Sequence, residues 1–255
     1  MSAVTLILAT YNDSDRIRAC IESILVQSYE DWKLIIVDDH SDDDTLVIIQ
    51  EYLSNPKITL IKNTRNIGLA ASLNKAIKII STPLIARVDG DDIQLPHRLE
   101  FQINLMQKYP AVDLLTCNVF NKYSDGTRVP GTIKSIADQE IKEQLEFRNV
   151  ICHPTVMIRK TFFEKAGLYD AQLRRSQDWE LWLRGKASGC IFLSASEIVT
   201  EYWTNDYKRS INVLFQYTTA RLKIFVRHQR FSQAPYVCRD VLSAIYRSMK
   251  SSLKK

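Results

Sequence analysis

Arg87-Val88-Asp89-Gly90-Asp91-Asp92 follows the apolar run Pro83-Leu84-Ile85-Ala86, so three carboxylates stand directly beyond what reads as a buried strand. Carboxylates crowded in this way raise one another's pKa, and a hard divalent cation that prefers oxygen ligands, Mg2+ or Mn2+, is the readiest stabiliser of such a cluster. An isolated Asp-x-Asp is equally a polar turn with Gly90 at the bend. A second acidic run, Val37-Asp38-Asp39-His40-Ser41-Asp42-Asp43-Asp44, also follows an apolar stretch, Leu34-Ile35-Ile36-Val37. Ligands of open α/β sheets bind beyond the carboxyl ends of the strands. Two parallel strands ending in carboxylates would therefore face one crevice. Asp43 and Asp44 suit the cap and first turn of a helix over residues 45–53, where negative charge is favourable. Asp38 and Asp39 stand as site candidates.

Working outward, short runs rich in Ile, Val and Leu at 4–9, 33–37, 58–62, 84–88 and 114–117 alternate with helical patterns, the signature of a parallel sheet. Helices are predicted over 14–26 and 69–80, and Pro96 suits the first turn of another carrying Leu99, Ile103 and Met106. Residues 122–135, with Asp125-Gly126, read as a hairpin or flexible loop. A helix near 137–147, a strand at 156–158, a helix over 179–187 and two late strands near 191–193 and 199–202 complete the pattern. The fold class is α/β, with one catalytic-sized domain over 1–205 and a helical C-terminal extension over 206–255.

The 255 residues are 45% hydrophobic and 25% charged, ordinary for a soluble globular chain able to bury one substantial core. The five cysteines are scattered and form no Cys-x-x-Cys pair, which argues for a reducing compartment and against a zinc site. Residues 4–9 are too short and lack the basic leader of a signal peptide, and no stretch is long and apolar enough to span a bilayer. A cytoplasmic protein is expected. Its net charge of +5 is unevenly divided: residues 208–255 hold eleven Lys and Arg against one acid, and the preceding 207 hold 23 bases against 28 acids. Residues 236–253 place apolar side chains near helical spacing among basic ones. Such a helix either lies on an anionic membrane surface or packs on the body with a solvated basic face. No nucleic-acid-binding module is recognisable.

Read together and in order, Ala9-Thr10-Tyr11-Asn12, Val37-Asp38-Asp39, Asn66-Ile67-Gly68 with Leu73-Asn74, the Asp89 to Asp92 run with Pro96 and Arg98, His153-Pro154-Thr155-Val156-Met157, and Gln177-Asp178-Trp179-Glu180-Leu181-Trp182-Leu183-Arg184 resemble family-two glycosyltransferases over roughly residues 3–205. The nearest flavour is the bacterial subgroup that builds O-antigen, capsule or exopolysaccharide. The resemblance implies a single A-type nucleotide-diphospho-sugar transferase domain with a mostly parallel sheet flanked by helices. It also implies direct displacement with inversion, a UDP-sugar donor, Mn2+ or Mg2+, and a saccharide acceptor that is lipid-linked.

By position in the family, Asp91 ligates the metal, Asp89 reaches the ribose or metal, and Asp92 supports them. Thr10, Tyr11 and Asp39 line the nucleobase pocket with Asn12 and Asp38 beside them, and Asn66 and Gly68 lie where a loop passes the nucleotide. Arg87 either pairs with phosphate or braces the acidic loop. Asp178 is the expected catalytic base, taking the acceptor hydroxyl's proton from the side of the sugar opposite the diphosphate. Gln177 replaces the usual Glu, and Trp179 packs behind the base. His153 either contacts metal or acceptor or is a structural histidine.

Tyr202-Trp203-Thr204-Asn205 departs from the subgroup, which commonly carries Arg and His where Trp203 and Asn205 stand; Lys208 and Arg209 follow closely as donor-binding candidates. The alternative is a non-catalytic sugar-nucleotide-binding relative. A nucleotidyltransferase and an NAD-dependent oxidoreductase are disfavoured, because residues 9–15 contain none of the chain's seven glycines. Peripheral association with the inner face of the cytoplasmic membrane follows from the basic tail and a lipid-linked acceptor.

Overall fold

The computed structural model describes residues 3–204 and 211–227. Lys208, Arg209, Asn205 and the expected helix over 236–253 lie outside the described residues. The first half alternates strand and helix: β1 (Val4–Thr10), α1 (Ile17–Leu25), β2 (Trp32–Asp38), α2 (Thr45–Gln50), β3 (Ile58–Lys62), α3 (Leu69–Ile79) and β4 (Leu84–Asp89). The second half holds β5 (Ile93–Gln94), α4 (Arg98–Lys108), β6 (Leu114–Lys122), β7 (Arg128–Pro130), α5 (Asp138–Leu145), β8 (Met157–Arg159), α6 (Lys160–Ala166), α7 (Gln177–Ala187), β9 (Phe192–Trp203) and α8 (Ile211–Arg227). The strands form one sheet in the order β3-β2-β1-β4-β8-β6-β9-β5, with β7 hairpinned onto β6. The long pairings β1–β2, β1–β4, β2–β3 and β6–β9 are parallel; β8 inserts antiparallel between β4 and β6.

The continuous apolar runs arise because both faces of the sheet are covered. Leu6, Leu8, Leu34, Ile36, Leu84 and Val88 point into a core shared with α1 and α4, and the alternate residues Ile7, Ile35, Val37 and Ile85 point into a second core shared with α3, α5, α6 and α7. Parallel register then sets the functional edge. Thr10 lies opposite Asp38 and Ala9 opposite Asp89, so β1, β2 and β4 end side by side.

Several boundaries differ from the sequence pattern. Helix α1 begins at Ile17 because the N–H groups of Arg16 and Ile17 both donate to the Asp13 carbonyl, closing residues 13–16 as a turn. Helix α2 stops at Gln50, short of residue 53. The two late strands are one, β9, continuous through the polar stretch Ser194 to Glu197; β6 follows it with register shifts around Asn118. Asp125-Gly126 does form the β6–β7 turn, with Gly126 at φ +85°. The four described cysteines, Cys20, Cys117, Cys152 and Cys190, are free.

The described part of the C-terminal extension packs on the body. Ala220 and Ile224 of α8 are buried, Arg227 pairs with Asp170 at 2.6 Å and Glu180 at 3.2 Å, and the Arg221 guanidinium lies 5.2 Å from the Trp179 ring centroid. No helix among the described residues is long and apolar enough to cross a membrane.

Gly185 gives one test of this packing. A Cβ there would stand 2.6 Å from the Phe162 ring, which is held edge-to-face by Phe163, Trp182 and Phe192 and has no room to retreat. Gly185→Ala is expected to destabilise the fold by about 1–3 kcal/mol through overpacking, overriding the roughly 1 kcal/mol that alanine gains in a helix. A urea midpoint at or above that of the unaltered chain would refute it.

Candidate active site

The ends of β1 and β2 are tied to the loop before α3. Asp39, buried just past β2, accepts hydrogen bonds from the Ile67 N–H (2.9 Å), the Gly68 N–H (2.7 Å) and Asn63 Nδ2 (2.8 Å). Asn63 also donates to Ser72 and accepts from Lys75 Nζ at 2.7 Å. Gly68 needs its freedom twice: its φ is +91°, and an added Cβ would meet the Arg174 guanidinium at 2.5 Å. Beside it, Asn12 and Asp42 are joined twice, Asn12 Nδ2 donating to Asp42 at 2.5 Å and the Asp42 N–H donating back at 3.0 Å. Asp38 is buried and its carboxylate accepts from the Ser41 N–H at 3.3 Å, while Tyr11 and Asn66 are exposed on the rim. The helix-cap expectation for Asp43 and Asp44 holds only in part: Asp44 is the N-cap residue of α2 but makes no side-chain capping bond, and no acid lies in the first turn. Asp43, one residue earlier, accepts from the N–H groups of Thr45 and Ser14; burial would raise its carboxyl, and the bonds from Thr45 and Ser14 hold it down at about 2.

At the end of β4, carboxylate oxygens of Asp89, Asp91 and Asp92 lie within 4.8 Å of one another. Arg87, buried beneath them, makes a bidentate ion pair with Asp89. Asp13 is the nearby acid that the motif did not reveal: its carboxylate accepts from Thr10 Oγ1 at 2.6 Å and sits 2.7 Å from where a Cβ on Gly90 would fall. Burial, together with the charges of Asp89 and Asp13, pushes the Asp91 carboxyl up to about 6. Asp92 is fully buried; one oxygen accepts from the Trp203 N–H at 3.0 Å and the other has no partner. Its carboxyl is raised well above the usual range, chiefly by burial and then by Asp89 and Asp91. Crowded hard oxygen donors with one buried oxygen unpartnered fit a divalent cation of the Mg2+ or Mn2+ type.

Trp203 contributes to this cluster through its backbone, so the Arg-to-Trp departure leaves that contact intact. Its ring carries the Arg16 guanidinium 4.1 Å from the centroid. Arg98, wholly buried, donates to Gln94, Gln102 and the Arg87 carbonyl. Burial lowers its pKa to about 10.

Asp178 occupies the first turn of α7, where its carboxylate accepts from Asn149 Nδ2 at 2.6 Å. Burial raises its pKa; the helix N–H of Trp179, the charge of Arg87 and the Asn149 bond oppose that rise. Trp179 packs behind it as expected, its indole N–H donating to the Leu145 carbonyl at 2.9 Å. Gln177 is buried with an unpartnered Oε1.

The cation-fit group among the described residues consists of the three aspartates, and His153 lies outside it. The ring is instead enclosed by Tyr169 and Trp182, Nε2 lies 2.8 Å from the Tyr169 hydroxyl, and burial with the nearby charge of Arg87 drives its pKa well below the usual value.

The sequence model described as Glycosyl transferase family 2 matches residues 5–167. The uncharacterized glycosyltransferase MJ1057 of Methanocaldococcus jannaschii is 35% identical over 206 residues, covering 78% of this chain and 70% of that protein. The Escherichia coli UDP-Glc:alpha-D-GlcNAc-diphosphoundecaprenol beta-1,3-glucosyltransferase WfaP is 30% identical over 207 residues, covering 79% and 77%. The chain spans 58–70% of the lengths of the first three curated relatives it matches. Among solved structures, the mannosyltransferase PcManGT of Pyrobaculum calidifontis, determined with GDP-Man and Mn2+, superposes with a TM-score of 0.67 at 18% identity, covering 95% of this chain and 68% of that one.

Proposed function

The chain belongs to glycosyl transferase family 2, and on that footing we propose that it moves a hexosyl group from a UDP-sugar to a hydroxyl of a lipid-linked saccharide, with inversion, in surface-polysaccharide assembly. The observation that carries this reading is the pairing of a cation-fit carboxylate cluster at the ends of parallel strands with a separate partly buried carboxylate, Asp178, on α7. WfaP, whose name specifies a UDP-Glc donor and a diphosphoundecaprenol-linked acceptor, supports the choice of donor and acceptor. The net charge of +10 over residues 208–255 supports work at an anionic membrane surface, where a lipid-linked acceptor is presented.

In this reading Asp178 takes the acceptor hydroxyl's proton as that oxygen bonds to the anomeric carbon and the bond from that carbon to the diphosphate breaks on the opposite face. Asp89 and Asp91, supported by Asp92, would hold Mn2+ or Mg2+, which when bound neutralises charge developing on the diphosphate. Arg87 holds Asp89 in place rather than reaching for phosphate. Asp39 accepts three donors on a carboxylate with about four acceptor sites, leaving room for one N–H of a nucleobase. Thr10, Tyr11, Asn12, Asp38, Asn66 and Gly68 shape the walls around that base and its ribose.

Calorimetric titration with UDP-Glc, UDP-GlcNAc and GDP-Man, with and without Mn2+, tests the donor half. One nucleotide sugar is expected to bind at least about tenfold more tightly with Mn2+, and Asp91→Ala should abolish that gain. Equal binding by the variant would overturn the metal assignment. No binding of any donor by the folded chain would overturn the reading itself.

A further inference from the structure

A groove of about 520 Å3 runs between α5, the segment after β7 and residues 149–152. One of its walls is Asn149, whose side-chain amide is bonded to Asp178. Along α5 and just past its end a polar ladder faces it, Gln144 donating to Glu140 at 3.0 Å and Arg148 donating to Gln144 at 2.7 Å. Ile133, Ile136 and Ile151 line it with apolar surface. Its floor is fixed to the body, with the Cys152 N–H donating to Thr116 Oγ1 at 3.0 Å and Ser194 Oγ to the Lys134 carbonyl at 2.7 Å. A pyranose ring has hydroxyls around its edge and C–H groups on its faces, so a channel with one hydrogen-bonding wall and one apolar wall matches it. Among sites of this kind, a few placed polar groups over apolar lining set orientation.

We infer that this groove is the acceptor-saccharide site and that Asn149 is a positioning residue, holding Asp178 toward the hydroxyl presented at the groove's end. This rests on the reading of Asp178 as the base. The Asn149 amide restrains the carboxylate and, with the Trp179 N–H of α7 and the charge of Arg87 from β4, stabilises its charged form; the Tyr169 phenol is the other titratable group that interacts with it. Removing the amide leaves Arg87 in place and frees the carboxylate to turn away from the groove.

The test uses the full chain, saturated with whichever UDP-sugar calorimetry identifies. Thr132→Trp, on the exposed rim, plugs the groove without touching the core. Saturation-transfer NMR against a panel of methyl glycosides is expected to detect binding by the unaltered chain and at least about tenfold weaker binding by Thr132→Trp, with donor affinity unchanged in both. Carboxyl NMR of Asn149→Ala, assigned against Asp178→Asn, is expected to show Asp178 titrating at higher pH than in the unaltered chain. Glycoside binding that survives the plug, no glycoside binding by a donor-loaded chain, or an unmoved Asp178 titration would each overturn the inference. Failure to bind any donor would instead strike the functional reading beneath it.

Discussion

Asp178→Asn is expected to lower kcat about a thousandfold while leaving nucleotide-sugar affinity within about twofold, the size of effect associated with loss of a general base. The substitution keeps the shape and the bond from Asn149, but an amide cannot accept the proton of the attacking hydroxyl. Asparagine also suits the first turn of α7 nearly as well as aspartate, so the fold should be undisturbed. The pH profile carries the same signature. Burial raises the Asp178 pKa, and the group works only when ionised, so the rate should fall as pH drops through a pKa higher than that of an ordinary aspartate. Single-turnover measurements with a bound donor separate this from donor binding. A loss smaller than about tenfold, or an equal loss of donor affinity, would remove Asp178 from the role of base.

Arg87→Met is expected to destabilise the fold by about 3–5 kcal/mol, the range measured when one partner of a buried ion pair is removed. Arg87 is 3% exposed and its partner Asp89 25%, so solvent repairs little of the loss. Without the guanidinium, Asp89 faces Asp91, Asp92 and Asp13 with its ion-pair partner gone. Methionine fills most of the vacated volume, so the cost is electrostatic more than steric. Millimolar Mn2+ should therefore restore more stability to the variant than it adds to the unaltered chain, because ligand binding to the native state stabilises it by mass action. Urea unfolding, with the slope held constant to confirm comparable unfolded states, reads both effects. A cost below about 1 kcal/mol would mean that the carboxylates relax apart and that Arg87 is not their brace.

Much of this was legible in the chain because the sheet obeys simple periodicity. Residues 4–9, 33–37 and 84–88 mark β1, β2 and β4 to within a residue or two, since strands buried on both faces read as unbroken apolar runs. The acidic ends of β2 and β4 converge because parallel register leaves them no alternative. What sequence reading missed was chemistry made by long-range contact. Asp13 sits in an unremarkable Asn-Asp-Ser-Asp turn and joins the acid cluster only through the register of β1 with β4. Asn63 and Asn149 carry no motif; each matters because a distant carboxylate, Asp39 or Asp178, arrives beside it. The His-Pro-Thr motif likewise gives no hint that Tyr169 and Trp182 will close over the His153 ring. The split of β9 into two strands failed because pairing with β6 carried a polar stretch that local propensity would have broken.

Three described residues other than glycine have a left-handed backbone: Asn12 at φ 56° and His40 at φ 68°, just past β1 and β2, and Ser176 at φ 56°, just before Asp178. Such a conformation costs an L-residue about 1–2 kcal/mol. Glycine would remove that strain, yet it would also enlarge the set of conformations open to the unfolded chain, at a cost of about 0.4–1 kcal/mol. About half of the relief in the native state is thus offset in the denatured one. The remainder is weighed against what the side chain holds. At Asn12 that is the doubled bond to Asp42, which a glycine would surrender outright.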